Sequence, residues 1–439
     1  MIKGKVTKAL LALAIILIAA VSCATQGPAQ PQVLDYASQV KLDMSSPTLK
    51  QAVTVKTFVD GDTTHFFVPT SLLSSGVLKA RYIAINTPES TGKIEQYGKA
   101  ASNFTKEKLS NASSIVIESD SAQLDADSTG GRYLVWVWYR NSESEEYRNL
   151  NIEILQNGLA IASSSANNRY GATCVAAINQ AKEQGMNIYS GIKDPDFYYG
   201  SAVELTLKEL RCNISDYNGV KVAFEGVVTR SASNTVYVEE YDPDTDMYYG
   251  MTVYYGYGLS GEGLDVLSVG NRARIVGTVQ YYEAGGTYQV SGLTYSAMRP
   301  DSPDNIKKLG DGFVPAYVPT EPVMLNSATV AIADDEGNVR FWPYAELAMN
   351  TSLSMTGLQV KSIHTTSDEE SSSYGAMSMT CEKDGQSVTV RTAVMYENGS
   401  LVTQDAYEGR TIDVFGLVDY FNGSYQIKVF SPKDIVITR

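Results

Sequence analysis

The chain has 439 residues, with 49 Asp and Glu against 35 Lys and Arg, for a formal net charge of −14. No overall basic field is available to draw in phosphate, so any contact with nucleic acid has to come from local Arg and Lys. With only 2 histidines, His65 and His364, and 4 cysteines without a CxxC spacing, histidine-rich metal chemistry is excluded, and a zinc site or a Ser-His-Asp hydrolase fits poorly.

At the N-terminus, Lys3, Lys5 and Lys8 precede an apolar run from Ala9 to Val21. The run is shorter than the roughly 18 to 20 residues of a bilayer span, so residues 1–22 read as a signal peptide. Ala20-Val21-Ser22-Cys23 is similar to a bacterial lipoprotein cleavage box, with Ala20 where such boxes usually carry Leu. Cys23 is therefore the expected lipidation site, and acyl chains there would hold the mature N-terminus at the membrane. An ordinary secretory signal with an incidental Cys is the alternative. On either reading the protein is exported, to the extracellular face of the bacterial cell membrane or beyond it. Residues 23–49, with Gln, Pro and Ser and little apolar patterning, read as a lipid-anchored flexible tether.

The densest chemistry lies between Val59 and Glu89. Asp60-Gly61-Asp62-Thr63 opens this stretch and Arg81-Tyr82-Ile83-Ala84-Ile85-Asn86-Thr87-Pro88-Glu89 closes it, with extended runs at 63–68 and 77–85 between. Antiparallel pairing of the two runs brings Asp62 near Asn86 and Thr87. Carboxylate, amide and carbonyl oxygens are what a hard divalent cation takes, so Asp62, Asn86 and the Thr87 carbonyl form a partial cage flanked by Arg81 and Glu89. Each piece alone has a plainer reading, since Asp-Gly is a common hairpin turn and Thr-Pro-Glu a common loop or helix start.

The joint order is more specific. The Asp-Gly-Asp-Thr turn, Arg81, Thr87-Pro88-Glu89, Tyr97-Gly98-Lys99-Ala100-Ala101, Gly131-Arg132 and Asn157-Gly158-Leu159-Ala160 together resemble the staphylococcal nuclease (thermonuclease) family. The resemblance implies an OB-type five-stranded barrel with packed helices over residues 50–198. Strands are expected near 52–58, 63–68, 78–85, 114–119 and 132–139, and helices near 97–110, 150–157 and 172–184. It also implies a calcium-dependent phosphodiesterase acting on single-stranded DNA and RNA. Calcium would sit on Asp62, Asn86 and Thr87. Arg81 and Arg132 would neutralise charge in the transition state, and Glu89 would position the attacking water. Two departures stand out. Asn86 occupies a position where the family's calcium site has Asp, and the acidic run Asp125 to Asp127 replaces the Lys and Tyr that relatives place just before the second arginine.

The rest of the chain reads as two further OB-like β-barrel domains, 199–297 and 323–439, joined by a Pro-rich linker over 298–322. A helix is expected from Ala202 to Cys212, then strands near 220–229, 236–240, 251–255, 272–282 and 288–293. Gly277-Thr278-Val279-Gln280-Tyr281-Tyr282 followed by Tyr288-Gln289-Val290 parallels Gly416-Leu417-Val418-Asp419-Tyr420-Phe421 followed by Tyr425-Gln426-Ile427, an internal repeat. Tyr241, Tyr248, Tyr249, Tyr254, Tyr255 and Tyr257 form an aromatic cluster, but Asp242, Asp244 and Asp246 sit among them and oppose phosphate. Those three echo a calcium loop without its later Gly and Glu, so a solvated turn is the expectation. Cys174 and Cys212 either pair as an interdomain disulfide or are small buried side chains. No protein partner is evident. The reading that competes with the enzyme is a non-catalytic surface lipoprotein whose barrels hold nucleic acid or a cell-wall ligand.

Overall fold

The computed structural model describes residues 33–129, 131–283, 285–333, 337–367, 371 and 373–439. The expected signal peptide and Cys23 lie outside them. The elements of the first barrel are α1 (Tyr36–Gln39), β1 (Lys50–Phe58), β2 (Thr63–Phe67), β3 (Val77–Tyr82), α2 (Gly98–Ser110), β4 (Ser114–Glu118), β5 (Tyr133–Arg140), α3 (Leu150–Gln156) and α4 (Gly171–Glu183). The strands run in the order β3-β2-β1-β4-β5, and a parallel β3–β5 pairing closes the ring. Every residue from Val135 to Tyr139 in β5 is buried. One face of β5 fills the barrel and the other lies under the helices, where Tyr170 sets its ring edge-on to Trp136 and Trp138, at 5.0 and 5.8 Å.

Two expectations are corrected here. The third strand stops at Tyr82 rather than running to residue 85, because Ala84 takes a left-handed φ of 72° that turns the chain out of the sheet. Ile85–Asn86 then pairs with Ile161–Ala162 instead. The expected tether also ends early. From Tyr36 the chain belongs to the main body, with Ala37 0% exposed and Val40 7% exposed in the first barrel's core and the Ala37 N–H donating to Gln156 Oε1 at 3.0 Å. A few apolar residues are enough to dock this segment on α3.

The second barrel comprises α5 (Leu207–Cys212), β6 (Lys221–Ala232), β7 (Thr235–Asp242), β8 (Met247–Tyr254), β9 (Arg272–Tyr282) and β10 (Thr287–Ser291). The third comprises β11 (Ser352–Thr365), β12 (Met377–Lys383), β13 (Gln386–Thr392), β14 (Thr411–Phe421) and β15 (Ser424–Val429). Both close as the first does, with the first strand against the fourth and a parallel pairing of third and fifth. The chain is thus mainly β, an OB-type barrel with packed helices followed by two further OB-like barrels. The repeat noted in the sequence holds in register, Val279↔Val290 and Tyr281↔Tyr288 in one barrel matching Val418↔Ile427 and Tyr420↔Tyr425 in the other.

The helix expected from Ala202 begins only at Leu207, where Thr206 and Glu209 cap each other's backbone. Val203–Glu204 is instead a short strand parallel to β6. The Pro-rich segment 298–322 is also more than a connector. Lys307–Gly310 pairs with β9 and Val318–Pro319 with β11, so each end adds a strand to a barrel. The second and third barrels share one continuous apolar core running from Leu207 to Ile435, whereas the first keeps its own. Glu239, 2% exposed, seals the shared body by accepting from the Ala316 N–H at 2.9 Å, the Ser352 N–H at 2.6 Å and the Ser352 hydroxyl at 2.9 Å. Gly250 lies so close to Asn350 that a Cβ there would stand 2.6 Å from the Asn350 carbonyl carbon and 2.7 Å from the Thr351 nitrogen.

Cys174, Cys212 and Cys381 are free, so among the described residues no disulfide joins the barrels. Asp242 accepts from the Thr245 N–H and hydroxyl, at 2.9 and 2.7 Å, and pairs with Lys208, as a turn does. Among the described residues, no helix is long and apolar enough to cross a membrane.

Candidate active site

The Asp60–Thr63 turn between β1 and β2 is tied together locally. The Asp62 N–H donates to Asp60 Oδ1 at 3.0 Å, and the Asp60 N–H to the Thr63 carbonyl at 3.2 Å. Gly61 allows the turn to press on its neighbours, since a Cβ there would meet Ala101 Cβ and Thr87 Cγ2 at 2.8 Å. The Thr105 hydroxyl of α2 donates to the Gly61 carbonyl at 2.6 Å. Helix α2 thus fixes the turn from behind.

Antiparallel pairing sets Thr63 opposite Arg81, and the Tyr82 N–H donates to the Asp62 carbonyl at 2.9 Å. After the Ala84 turn the chain returns, and the Thr87 N–H donates to Asp62 Oδ2 at 2.8 Å. The Thr87 group that meets Asp62 is thus its N–H, where the sequence reading put its carbonyl. Arg81 does not merely flank them. Its guanidinium lies on the cage oxygens, with Nη1 on Asp62 Oδ1 and Nη2 donating to Asn86 Oδ1 at 2.5 Å. Asp62 is 1% exposed, and the Arg81 guanidinium offsets the cost of burying its charge; the planar fork meets Asp62 Oδ1 and Asn86 Oδ1 at once.

Two acids that the sequence reading did not assign complete the cluster. Asp60 is 7% exposed. Burial raises its pKa, and the charges of Arg81 and Arg132 oppose that rise. Asp127 accepts from Arg132 Nε at 2.7 Å and from the Thr129 hydroxyl at 2.6 Å. Against the upward push of desolvation, those bonds hold its carboxyl below the ordinary value. The acidic run before Arg132 thus supplies the group that holds this arginine. The doubled Asp of the turn and the Asp-x-Thr spacing were the available signals.

Glu89 is half-buried, and burial followed by the Asp60 charge raises its pKa, with Arg81 opposing. That is the direction in which a carboxylate becomes a better proton acceptor. Its loop closes on itself. The Glu95 N–H donates to the Glu89 carbonyl at 2.9 Å, and the Glu89 N–H donates to Glu95 Oε2 at 3.1 Å. Gly98 sits directly beneath, where a Cβ would collide with the Glu89 carbonyl. Asp60, Arg81, Glu89 and Arg132 all lie within one another's electrostatic reach.

The family model described as "Staphylococcal nuclease homologue" matches residues 79–191. This segment is a staphylococcal nuclease family domain. The match begins inside β3, so the Asp60–Thr63 turn precedes it and joins the nuclease domain through the contacts just described. A thermonuclease of Staphylococcus intermedius is 31% identical over 115 residues, which cover 25% of this chain and 62% of that protein. The chain therefore spans less than two thirds of that relative.

For a divalent cation, the nuclease domain offers oxygen donors of the hard type that calcium prefers: the carboxylate of Asp62, the amide oxygen of Asn86 and, beside them, Asp60. The donor chemistry fits. Among the described residues no group of three or more His, Cys, Asp or Glu is gathered for a metal, so such a site would rest on few carboxylates. His65 is no rival base. It pairs with Lys79 across β2 and β3, and burial followed by the charges of Lys79 and Lys56 lowers its pKa.

Proposed function

We propose that this chain is a calcium-dependent nuclease, exported and tethered to the membrane through Cys23, that hydrolyses phosphodiester bonds of single-stranded DNA and RNA. The observation that carries the reading is the meeting of two arginines and a half-buried glutamate over buried aspartates in a nuclease-family barrel. Phosphodiesters resist attack because their negative charge repels the nucleophile and grows on the phosphoryl oxygens. Arg81 and Arg132 would neutralise that growth, and Glu89 would orient the attacking water and accept its proton. Asp62, Asn86 and Thr87 would hold calcium, which when bound supplies further positive charge to the phosphate. The neutral amide of Asn86 brings one negative charge fewer than a carboxylate, so calcium should bind weakly until the substrate phosphate joins it. Substrate phosphate would draw Arg81 off Asp62 and Asn86, freeing both oxygens for the cation.

Each arginine is already engaged by an aspartate. That observation favours a second reading, a surface lipoprotein that binds nucleic acid without cutting it. The two separate in cleavage assays of single-stranded DNA and RNA with calcium, with magnesium and with chelator. The nuclease reading expects calcium-dependent cutting that drops by about a hundredfold or more in Glu89→Gln and needs less calcium in Asn86→Asp. No cutting by either wild type or Asn86→Asp at any calcium level would leave the binding reading.

A further inference from the structure

The loop that carries Glu89 is held from outside its own domain. Residues 90–95 lie against the second barrel, where three glycines in left-handed conformations, Gly92 (φ 70°), Gly256 (φ 58°) and Gly292 (φ 73°), let two backbones approach closely. A Cβ on Gly292 would stand 3.4 Å from the Gly92 carbonyl oxygen and 3.4 Å from Ile94 Cγ1, and one on Gly256 would stand 3.8 Å from Gly92 Cα. At this seam Gln280 Nε2, from β9, donates to the Ser90 carbonyl at 2.6 Å. The Gln280 amide is itself oriented by the fully buried Ser291, whose hydroxyl donates to Gln280 Oε1. Ser90 follows Glu89 directly.

We infer that the second barrel is a working part of the nuclease site and that Gln280 is a positioning residue for Glu89. The inference rests on the catalytic role proposed for Glu89. Inside its own domain the Glu89 loop is closed by Glu95 and Gly98 on the helix side, and the Ser90 carbonyl is held from the second barrel. The register of the third barrel sharpens the assignment. Asp419 stands where Gln280 does, and it accepts from Gln426 of its own barrel at 2.6 Å. An outward amide at this position is therefore not something the barrel needs for closure.

Three variants of the full chain test this. Gln280→Ala removes the donor, Gln280→Glu keeps the shape but replaces the donor with an acceptor facing a carbonyl, and Ser291→Ala releases the amide's orientation. Thermal unfolding checks that each variant is folded. Glu89 acts on water rather than on substrate binding, so kcat is expected to fall by about tenfold to a hundredfold in Gln280→Ala and Gln280→Glu, with KM for a short oligonucleotide nearly unchanged. Ser291→Ala should show a smaller loss of the same kind. Backbone hydrogen exchange at 89–95 reads the clamp without catalysis and should quicken in all three variants. Unchanged exchange with unchanged kcat in folded Gln280→Ala and Gln280→Glu overturns the inference, as does a KM effect without a kcat effect. If wild type does not cut at all, the nuclease reading fails while exchange still decides whether Gln280 holds the loop.

Discussion

The second barrel meets its two neighbours in opposite ways. Toward the third barrel it sends Glu239 into a fully satisfied buried site, presses Gly250 against the Asn350 backbone and runs its apolar core straight across. Toward the nuclease barrel it offers one amide, an exposed ion pair from Glu283 to Lys106 and a set of facing glycines. The first contact has the character of a domain interior and the second that of a docked surface. The loop that carries Glu89 lies at the second kind of seam, where it is held by few contacts.

Gly250→Val would break this comparison most forcefully. Its side chain has backbone on the far side and nowhere to go, so the joined barrels should lose about 3 kcal/mol or more. Calorimetry should show their transition falling while that of the nuclease barrel stays put; equal falls in both would mean that the two seams do not differ. Glu239→Ala orphans the Ala316 and Ser352 amides and should cost about 2 to 3 kcal/mol. Limited proteolysis within 311–318 is the measurement, with faster cutting expected there and none added near Ser90. At the small end, Lys106→Ala removes an exposed pair worth about 0.5 kcal/mol or less. A loss well above that in denaturant titration would mean that the nuclease seam is stronger than its contacts suggest.

How far these features could be read from the sequence differs by type. Long strands with clear alternation, such as β9, were legible because local periodicity and burial agree there, whereas α2, whose buried face is Gly98, Ala101, Thr105 and Leu109, was expected from the family resemblance. The candidate site residues could be picked out as a constellation. Its wiring could not. Nothing local marks Ala84 for a left-handed conformation, yet that one residue ends β3 and sends Asn86 back toward Asp62. Arg81 read as a flanking charge, because its hold on Asp62 and Asn86 depends on burial that only the tertiary structure supplies. The four residues of α1 are too few to show periodicity. Glu239, Gly250 and Gln280 look like ordinary strand residues until partners more than 90 positions away are known.

The matched registers of the second and third barrels extend to their side chains. Their equivalent strands carry equivalent tyrosine pairs, Tyr281 with Tyr288 and Tyr420 with Tyr425, at ring separations of 5.0 and 5.1 Å. Such agreement in register and side-chain pairing makes the second and third barrels repeats of one structural unit. They differ in what the equivalent residues Gln280 and Asp419 contact. The copy beside the nuclease carries an amide that reaches outward, and the copy at the end of the chain carries a carboxylate satisfied within its own barrel.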